Sequence, residues 1–254
     1  MLSKAIIKDI QSLQQKKHRE SSGKFLAEGP KLVRELLDSN RFKLEALYAT
    51  ELWNGWNNLH ELNISPNQCS VIPEHDLERI AHYTTPNEVV AVFKQVSIKH
   101  PPSEVNGNIT LVLDRIQDPG NLGTIIRSAD WFGVKQIVCS PDTTDCYAPK
   151  VVQSTMASLA RVNMHYMDLK SWLDTCKGKL PIWTTAMEGK PASTILGGKS
   201  EGVIIIGNEA NGVSEQIRAC ADEHISIPGY GKAESLNAAV AASILLYAVR
   251  QSAI

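Results

Sequence analysis

Residues 109–133 read ITLVLDRIQDPGNLGTIIRSADWFG. The first eight, 109–116, form an apolar run suited to a strand buried on both faces of a parallel sheet. The polar turn DPGN breaks the run, and LGTIIRSADWFG after it reads as a helix ending near Gly133. The same alternation continues downstream: a strand over 135–140, a helix over 150–160, and strands in LPIWTTAM (180–187), GVIIIGNE (202–209) and EHISIPG (223–229). SLNAAVAASILLYAVR (235–250) closes the chain as an alanine-rich apolar helix. Strands joined by crossover helices predict an α/β fold with a mostly parallel sheet and helices on both faces.

Upstream, residues 1–97 predict a small α/β unit of their own. Ile6, Ile7, Ile10 and Leu13 have helical spacing, and FLAEGPKLVRELLDS reads as a strand turning at Gly29-Pro30 into a helix. Residues 44–49 and 87–96 read as strands, and 71–80 as a strand edge followed by a short helix. Between the halves, IKHPPSEVNGN (98–108) has two prolines and little apolar content, as a linker would. The expected division is therefore 1–97, a linker over 98–108, and 109–254. A chain of 254 residues, set against about 150 per domain, accommodates two modest domains.

The composition excludes more than it selects. Twenty-six lysines and arginines against 27 acids leave a formal net charge of -1, so bulk charge announces neither a nucleic-acid nor a membrane partner. The first 34 residues nevertheless carry eight basic residues against three acids, an excess the whole-chain sum conceals. Five scattered cysteines with no CxxC pair argue against a disulfide framework or a structural zinc site. No apolar run reaches the 18 to 20 residues of a membrane span, and charges come too early for a signal peptide, so the expectation is a cytoplasmic protein with no membrane partner.

Three glycine-bearing turns follow predicted strands: DRIQDPGNLGTIIR, GNEANGVSEQI and IPGYGKAESLN. Sites in open α/β sheets gather at the carboxyl ends of strands. Taken singly, each turn could be only the glycine that any such fold needs. None is a usual nucleotide motif. Gly120-Asn121-Leu122-Gly123 lacks the third glycine of a dinucleotide fingerprint, and Gly229-Tyr230-Gly231-Lys232 lacks the spacing of a phosphate-cradling loop. HExxH and GxSxG are absent as well.

Together, and in this order, the three turns resemble the signature motifs of the SpoU (TrmH-like) RNA ribose 2'-O-methyltransferases. The first is Asn121-Leu122-Gly123 with Arg127, Ala129 and Phe132-Gly133; the second is Ile206-Gly207-Asn208-Glu209 with Gly212-Val213. The third is Ile227-Pro228 with Ser235-Leu236-Asn237 and the helix that follows. Residues 149–162 are similar to the stretch that joins the first two. Arg19, Gly23-Lys24-Phe25 and Glu28-Gly29 resemble, over a shorter match, the L30e-like RNA-binding domain that precedes the catalytic domain in ribosomal-RNA members. The third motif departs from the family pattern in two places: Gly229 follows the proline where methionine is common, and Ala238-Ala239 replaces valine-serine. These touch details of cofactor packing.

The resemblance implies a trefoil-knotted catalytic domain, S-adenosylmethionine as methyl donor, and a homodimer formed through the cofactor-binding region. It implies no metal. It makes Arg127 the catalytic arginine beside the ribose and its phosphate, Asn121 an organiser of the catalytic loop, and Glu209 a support acting through Arg127 or a loop amide. Ser235 and Asn237 would combine helix capping with substrate or loop contacts. Thr185, Gly207, Ile227 and Leu236 would line the cofactor, largely through main-chain groups. A guanidinium stays protonated at ordinary pH, so phosphate binding and oxyanion stabilisation are easier roles for Arg127 than proton abstraction, which stays open. Lys16, Lys17, Arg19 and Lys24, with Arg127, are the candidate RNA contacts. The implied function is methyl transfer to RNA, with ribosomal RNA favoured by the amino-terminal domain. Transfer RNA, or a non-catalytic RNA-binding or ribosome-assembly role on the same scaffold, are the alternatives.

Overall fold

The computed structural model describes residues 1–82, 88–96, 98, 107–208 and 210–251. They form two compact units. One draws on residues 1–97 together with 145–160, the other on 98–144 together with 161–254. Of the expected linker over 98–108, only Ile98, Gly107 and Asn108 lie within the described residues.

The first unit runs α1 (Lys4–Ser12), α2 (Lys16–Ser22), β1 (Lys24–Glu28), α3 (Pro30–Asp38), β2 (Leu44–Ala49), α4 (Glu51–Trp56), β3 (Cys69–Val71), α5 (Glu74–Ile80) and β4 (Val89–Lys94). Its four strands are ordered β1-β4-β2-β3. β4 lies inside, antiparallel to both neighbours, which is why Val89, Val90, Ala91, Val92 and Phe93 are all buried rather than alternating. Ile7 and Ile10 of α1 pack with Leu77 and Ile80 of α5 against Leu26, Val90 and Val92. An aromatic group closes the unit elsewhere: Phe25 stands 5.1 Å from Phe42, 5.7 Å from Phe93 and 4.8 Å from Tyr147.

Tyr147 belongs to a segment that the sequence assigns to the other domain. In the structure, residues 145–160 join the first unit, and two anchors explain it. The Tyr147 ring fills the phenylalanine group, and its hydroxyl donates to the Val96 carbonyl at 3.3 Å. Burial pushes its phenol pKa well above the ordinary range. Asp145 provides the second anchor. Its Oδ2 accepts from Arg19 Nε at 2.9 Å and Nη2 at 2.7 Å, while Arg19 Nη1 donates to the Leu13 and Gln14 carbonyls at 2.9 and 2.8 Å. Arg19 is therefore not an RNA contact: it is 3% exposed, and a guanidinium that deep must be paired. The helix expected over 150–160 also stops early. α7 (Pro149–Thr155) ends where Met156 and Ala157 turn left-handed, at φ 47° and 66°.

The second unit runs β5 (Ile109–Asp114), α6 (Pro119–Trp131), β6 (Gln136–Cys139), β7 (Asn163–Tyr166), α8 (Leu169–Cys176), β8 (Ile182–Pro191), α9 (Ala192–Leu196), β9 (Gly202–Gly207), α10 (Glu215–Arg218), β10 (Glu223–Ser226) and α11 (Ala238–Arg250). Six strands lie in the order β10-β8-β9-β5-β6-β7, every pair parallel. On one face, Val112, Val203 and Ile205 pack under Leu169, Trp172 and Leu173 of α8. Strand alternation turns Leu111, Leu113, Ile204 and Ile206 to the other face, where α11 packs on β9. Among the described residues, no helix is long and apolar enough to cross a membrane.

Candidate active site

The strand order sets β10, β8, β9 and β5 side by side and parallel, so their carboxyl ends open along one edge of the sheet. Thr185 follows Thr184, the last β8 residue paired with β9. Gly207 ends β9, opposite Asp114 at the end of β5, and Ile227 follows β10 directly. Of the expected cofactor residues, Gly207 and Ile227 thus sit at the ends of β9 and β10, and Thr185 lies within β8 where its pairing with β9 stops. At that level the β8–β10 ladder lapses: His224 pairs with Thr184 but Ile225 pairs with Lys190, so residues 185–189 leave it.

The end of β9 is shaped by glycine. A Cβ on Gly207 would lie 2.2 Å from main-chain atoms of Gly212 and Val213, so the chain returns across it only because no side chain is there. Asn208 holds this turn. Its amide and carbonyl exchange hydrogen bonds with Gly212 at 3.2 and 2.8 Å, and its Oδ1 accepts from the Ala210 amide at 2.9 Å. Glu209 lies outside the described residues.

Two helix amino termini meet beside these strand ends. Asp118 caps α6, its Oδ1 accepting from the Asn121 amide at 2.8 Å. Asn237 caps α11, accepting from the Ala239 and Val240 amides at 2.9 and 3.3 Å. The caps are coupled, because Asn237 Nδ2 donates to Asn121 Oδ1 at 2.8 Å. Farther along, Ser128 and Ser243 hydroxyls bond at 2.8 Å, and Arg250 Nε donates to the Phe132 carbonyl at 2.9 Å. Start meets start and end meets end, so α6 and α11 run parallel. Both helices direct their positive dipole ends to one place, a setting that favours anions. Arg127 projects from the exposed face of α6, and among the described residues nothing is bonded to its guanidinium. Ser235 is exposed just before the α11 cap, and Leu236 offers a half-exposed apolar surface.

A model of the SpoU rRNA methylase family matches residues 108–247. The chain belongs to the SpoU methyltransferase family. A second model, that of an MRM3-like substrate-binding domain, matches residues 4–91. Among relatives, a Bacillus subtilis protein described as a 23S rRNA (guanosine(2553)-2'-O)-methyltransferase is 33% identical, over 96% of this chain and 95% of its own. The structure of an AdoMet-bound rRNA methyltransferase from Sinorhizobium meliloti is 30% identical, covers 100% of this chain and 97% of its own, and superposes with a TM-score of 0.86. The SpoU methyltransferase AviRb from Streptomyces viridochromogenes, solved with AdoMet, is 25% identical, with 98% of each chain covered and a TM-score of 0.84.

This SpoU protein is an S-adenosylmethionine-dependent RNA 2'-O-methyltransferase, and its second unit has the fold of the SpoU/TrmH knotted enzymes. Its residues fit the cofactor. The stretch that leaves the β8–β10 ladder has main-chain groups that would be free to read an adenine edge, and Ile227 and Leu236 would offer apolar surface for the ring.

Sequence reasoning passed over a second polar group at the same edge. Asp114 is buried, and its Oδ2 accepts from the Ser214 amide at 2.7 Å, tying the β9–α10 loop to β5. The next residue, Arg115, donates its amide to Ser140 Oγ at 2.9 Å, and its carbonyl accepts from Asn208 Nδ2 at 3.0 Å. Motif matching overlooks these residues because they act through backbone and geometry. The amino-terminal lysines are placed less concentratedly than their spacing suggests. Lys16 pairs with Glu20 at 3.7 Å, Lys24 with Glu45 at 2.9 Å, and Lys17 is exposed. Hydrogen bonding from Lys24 holds the Glu45 carboxyl below its usual range.

Proposed function

We propose that this enzyme methylates a ribose 2'-hydroxyl of ribosomal RNA in the cytoplasm and works as a homodimer. The observation that carries the reading is the coupling of the α6 and α11 caps through Asn121 and Asn237, beside the strand ends at Gly207 and Ile227 and the point in β8, at Thr185, where its pairing with β9 stops. It brings the substrate-facing and cofactor-facing motifs to one place. Ribosomal RNA as substrate is supported by the B. subtilis and S. meliloti relatives and by the accessory domain.

When bound, S-adenosylmethionine supplies a methyl group on a sulfonium centre, already a good leaving group, so alignment is the protein's main task. Arg127, exposed on α6, can clamp the phosphate next to the target ribose and stabilise negative charge growing on the 2'-oxygen. Asn121, oriented by Asn237, organises the loop that receives the ribose. The two helix amino termini add positive potential for the RNA backbone.

The dimer rests on an unpartnered apolar stripe. Val240, Ile244 and Tyr247 recur at helical spacing on the outer side of α11, and Trp131 at the end of α6 is 84% exposed. Exposed apolar side chains of this kind are what an interface covers. A second copy laid there would adjoin the motif loops, as the expected trefoil-knotted dimer requires.

The test is transfer of labelled methyl from S-adenosylmethionine to protein-free 23S rRNA, 16S rRNA and tRNA transcripts, with sedimentation of the enzyme run alongside. Label in one rRNA at a ribose, by a dimer, is the expected result. Label confined to tRNA would overturn the choice of substrate, and full activity in a monomer would overturn the assembly.

A further inference from the structure

Arg115 is held in a conformation that an arginine does not choose. Its φ is 59°, in the left-handed region where Cβ crowds the following carbonyl and glycine is the natural occupant. The fold imposes this conformation from both sides, by Ser140 on its amide and Asn208 on its carbonyl. Glycine would meet the same two bonds without strain. Backbone strain kept at the mouth of a site points to a function for the side chain that carries it.

The side chain is placed to have one. It stands at the carboxyl end of β5, where Asp114 lies opposite Gly207, and only Ile116, Gln117 and Asp118 separate it from α6. Its Nε lies 3.4 Å from Asp114 Oδ1 yet is buried without a hydrogen-bond partner, and the side chain remains 34% exposed. Asp114 is itself engaged by the Ser214 amide. The carboxylate therefore steadies one edge of the guanidinium by charge, and no described hydrogen bond consumes its donors.

We propose that Arg115 is a second arginine of the catalytic site, binding a phosphate of the RNA substrate beside the one Arg127 serves. The assignment rests on the RNA methyltransferase reading and adds a specific contact to it. A planar guanidinium with unused donors matches the phosphate oxygens, and the strained backbone fixes its direction before RNA arrives.

Arg115→Gly removes the charge and the strain together, which separates function from structure. Binding of protein-free 23S rRNA transcript is measured by filter retention across a salt series, apart from methyl transfer, with cofactor affinity and Tm measured on the same protein. The proposal expects Tm equal to or above wild type, RNA affinity lower by roughly tenfold at moderate salt, and the slope of log affinity against log salt shallower by about 0.7–0.9, one phosphate contact. S-adenosylmethionine affinity should stay within about twofold, the scale of an absent contact. Arg115→Lys, which keeps the charge, should retain the wild-type slope. An unchanged slope in Arg115→Gly, a fall in its Tm, or a loss confined to cofactor affinity would each overturn the assignment. If wild-type enzyme bound this RNA but transferred no methyl to it, the choice of substrate would fail, while the slope comparison would still decide the role of Arg115.

Discussion

Asn237→Ala probes the bond that couples the first and third motifs. In the structure Asn237 caps α11 through Oδ1 and orients Asn121 through Nδ2 at 2.8 Å. Loss of an asparagine cap costs roughly 1 kcal/mol. Loss of one exposed neutral hydrogen bond adds about 0.5 kcal/mol. At about 2–4 °C per kcal/mol for a chain of this length, Tm should fall by roughly 3–6 °C. Turnover should fall further than stability, by roughly 10–100-fold, because the Asn121 amide then loses the bond that ties it to the α11 cap in a reaction governed by alignment. Asn237→Asp separates the two effects. A carboxylate still caps the helix and suits its positive end, but it presents an acceptor to Asn121 Oδ1. The expected outcome is a near-native Tm with kcat still depressed. Thermal melts and single-turnover methyl transfer at saturating RNA and cofactor give both quantities. Wild-type kcat in Asn237→Asp, or a lowered Tm with unchanged kcat in Asn237→Ala, would refute the coupling.

Other perturbations separate chemistry from stability. Arg127→Ala should lower kcat by roughly 10²–10³-fold, the scale of a lost transition-state donor. Its melting curve and cofactor affinity should stay native, since Arg127 is exposed; comparable turnover in the variant, measured with saturating RNA, would remove it from the mechanism. Thr184→Val should stabilise the protein by about 1 kcal/mol in urea unfolding, because the Thr184 hydroxyl is buried without a hydrogen-bond partner among the described residues. Asp76 governs the acid limb of the first unit. The Leu2 amide donates to its Oδ2 at 2.8 Å and Arg79 Nη1 to its Oδ1 at 3.1 Å, and these hold its folded pKa below the unfolded value. Its contribution is therefore complete above the unfolded pKa, near 4, and is lost as pH falls through the lower folded value. Asp76→Asn should flatten that acid limb of the stability–pH curve, and a limb of unchanged slope would refute the assignment.

Much of the second unit could be read from local pattern. Ile109–Asp114 and Gly202–Gly207 are uninterrupted apolar runs that suit strands buried on both faces, and each runs into a polar turn at the carboxyl edge of the sheet. Their neighbours were not legible. β9 sits between β8 and β5 because parallel strands pair through crossovers, and nothing local encodes that order. Asn163–Tyr166 is a four-residue strand with His165 buried among mixed residues, too short to show a period, and it went unread together with α8. Charge counting misjudged Arg19, whose partner Asp145 is 126 residues away; a local excess of lysine and arginine says nothing about which of them the fold buries. Arg115 shows the same limit at the site, since left-handed backbone is announced by glycine and is silent in an arginine.

The most direct test maps ribose 2'-O-methylation across the RNA of cells with and without the gene, with the Arg127→Ala variant supplied back in a third strain. The expected outcome is that one ribosomal RNA methylation disappears on deletion, returns with the wild-type gene, and stays absent with the variant. An unaltered ribosomal RNA, or a methylation lost only from tRNA, would contradict it.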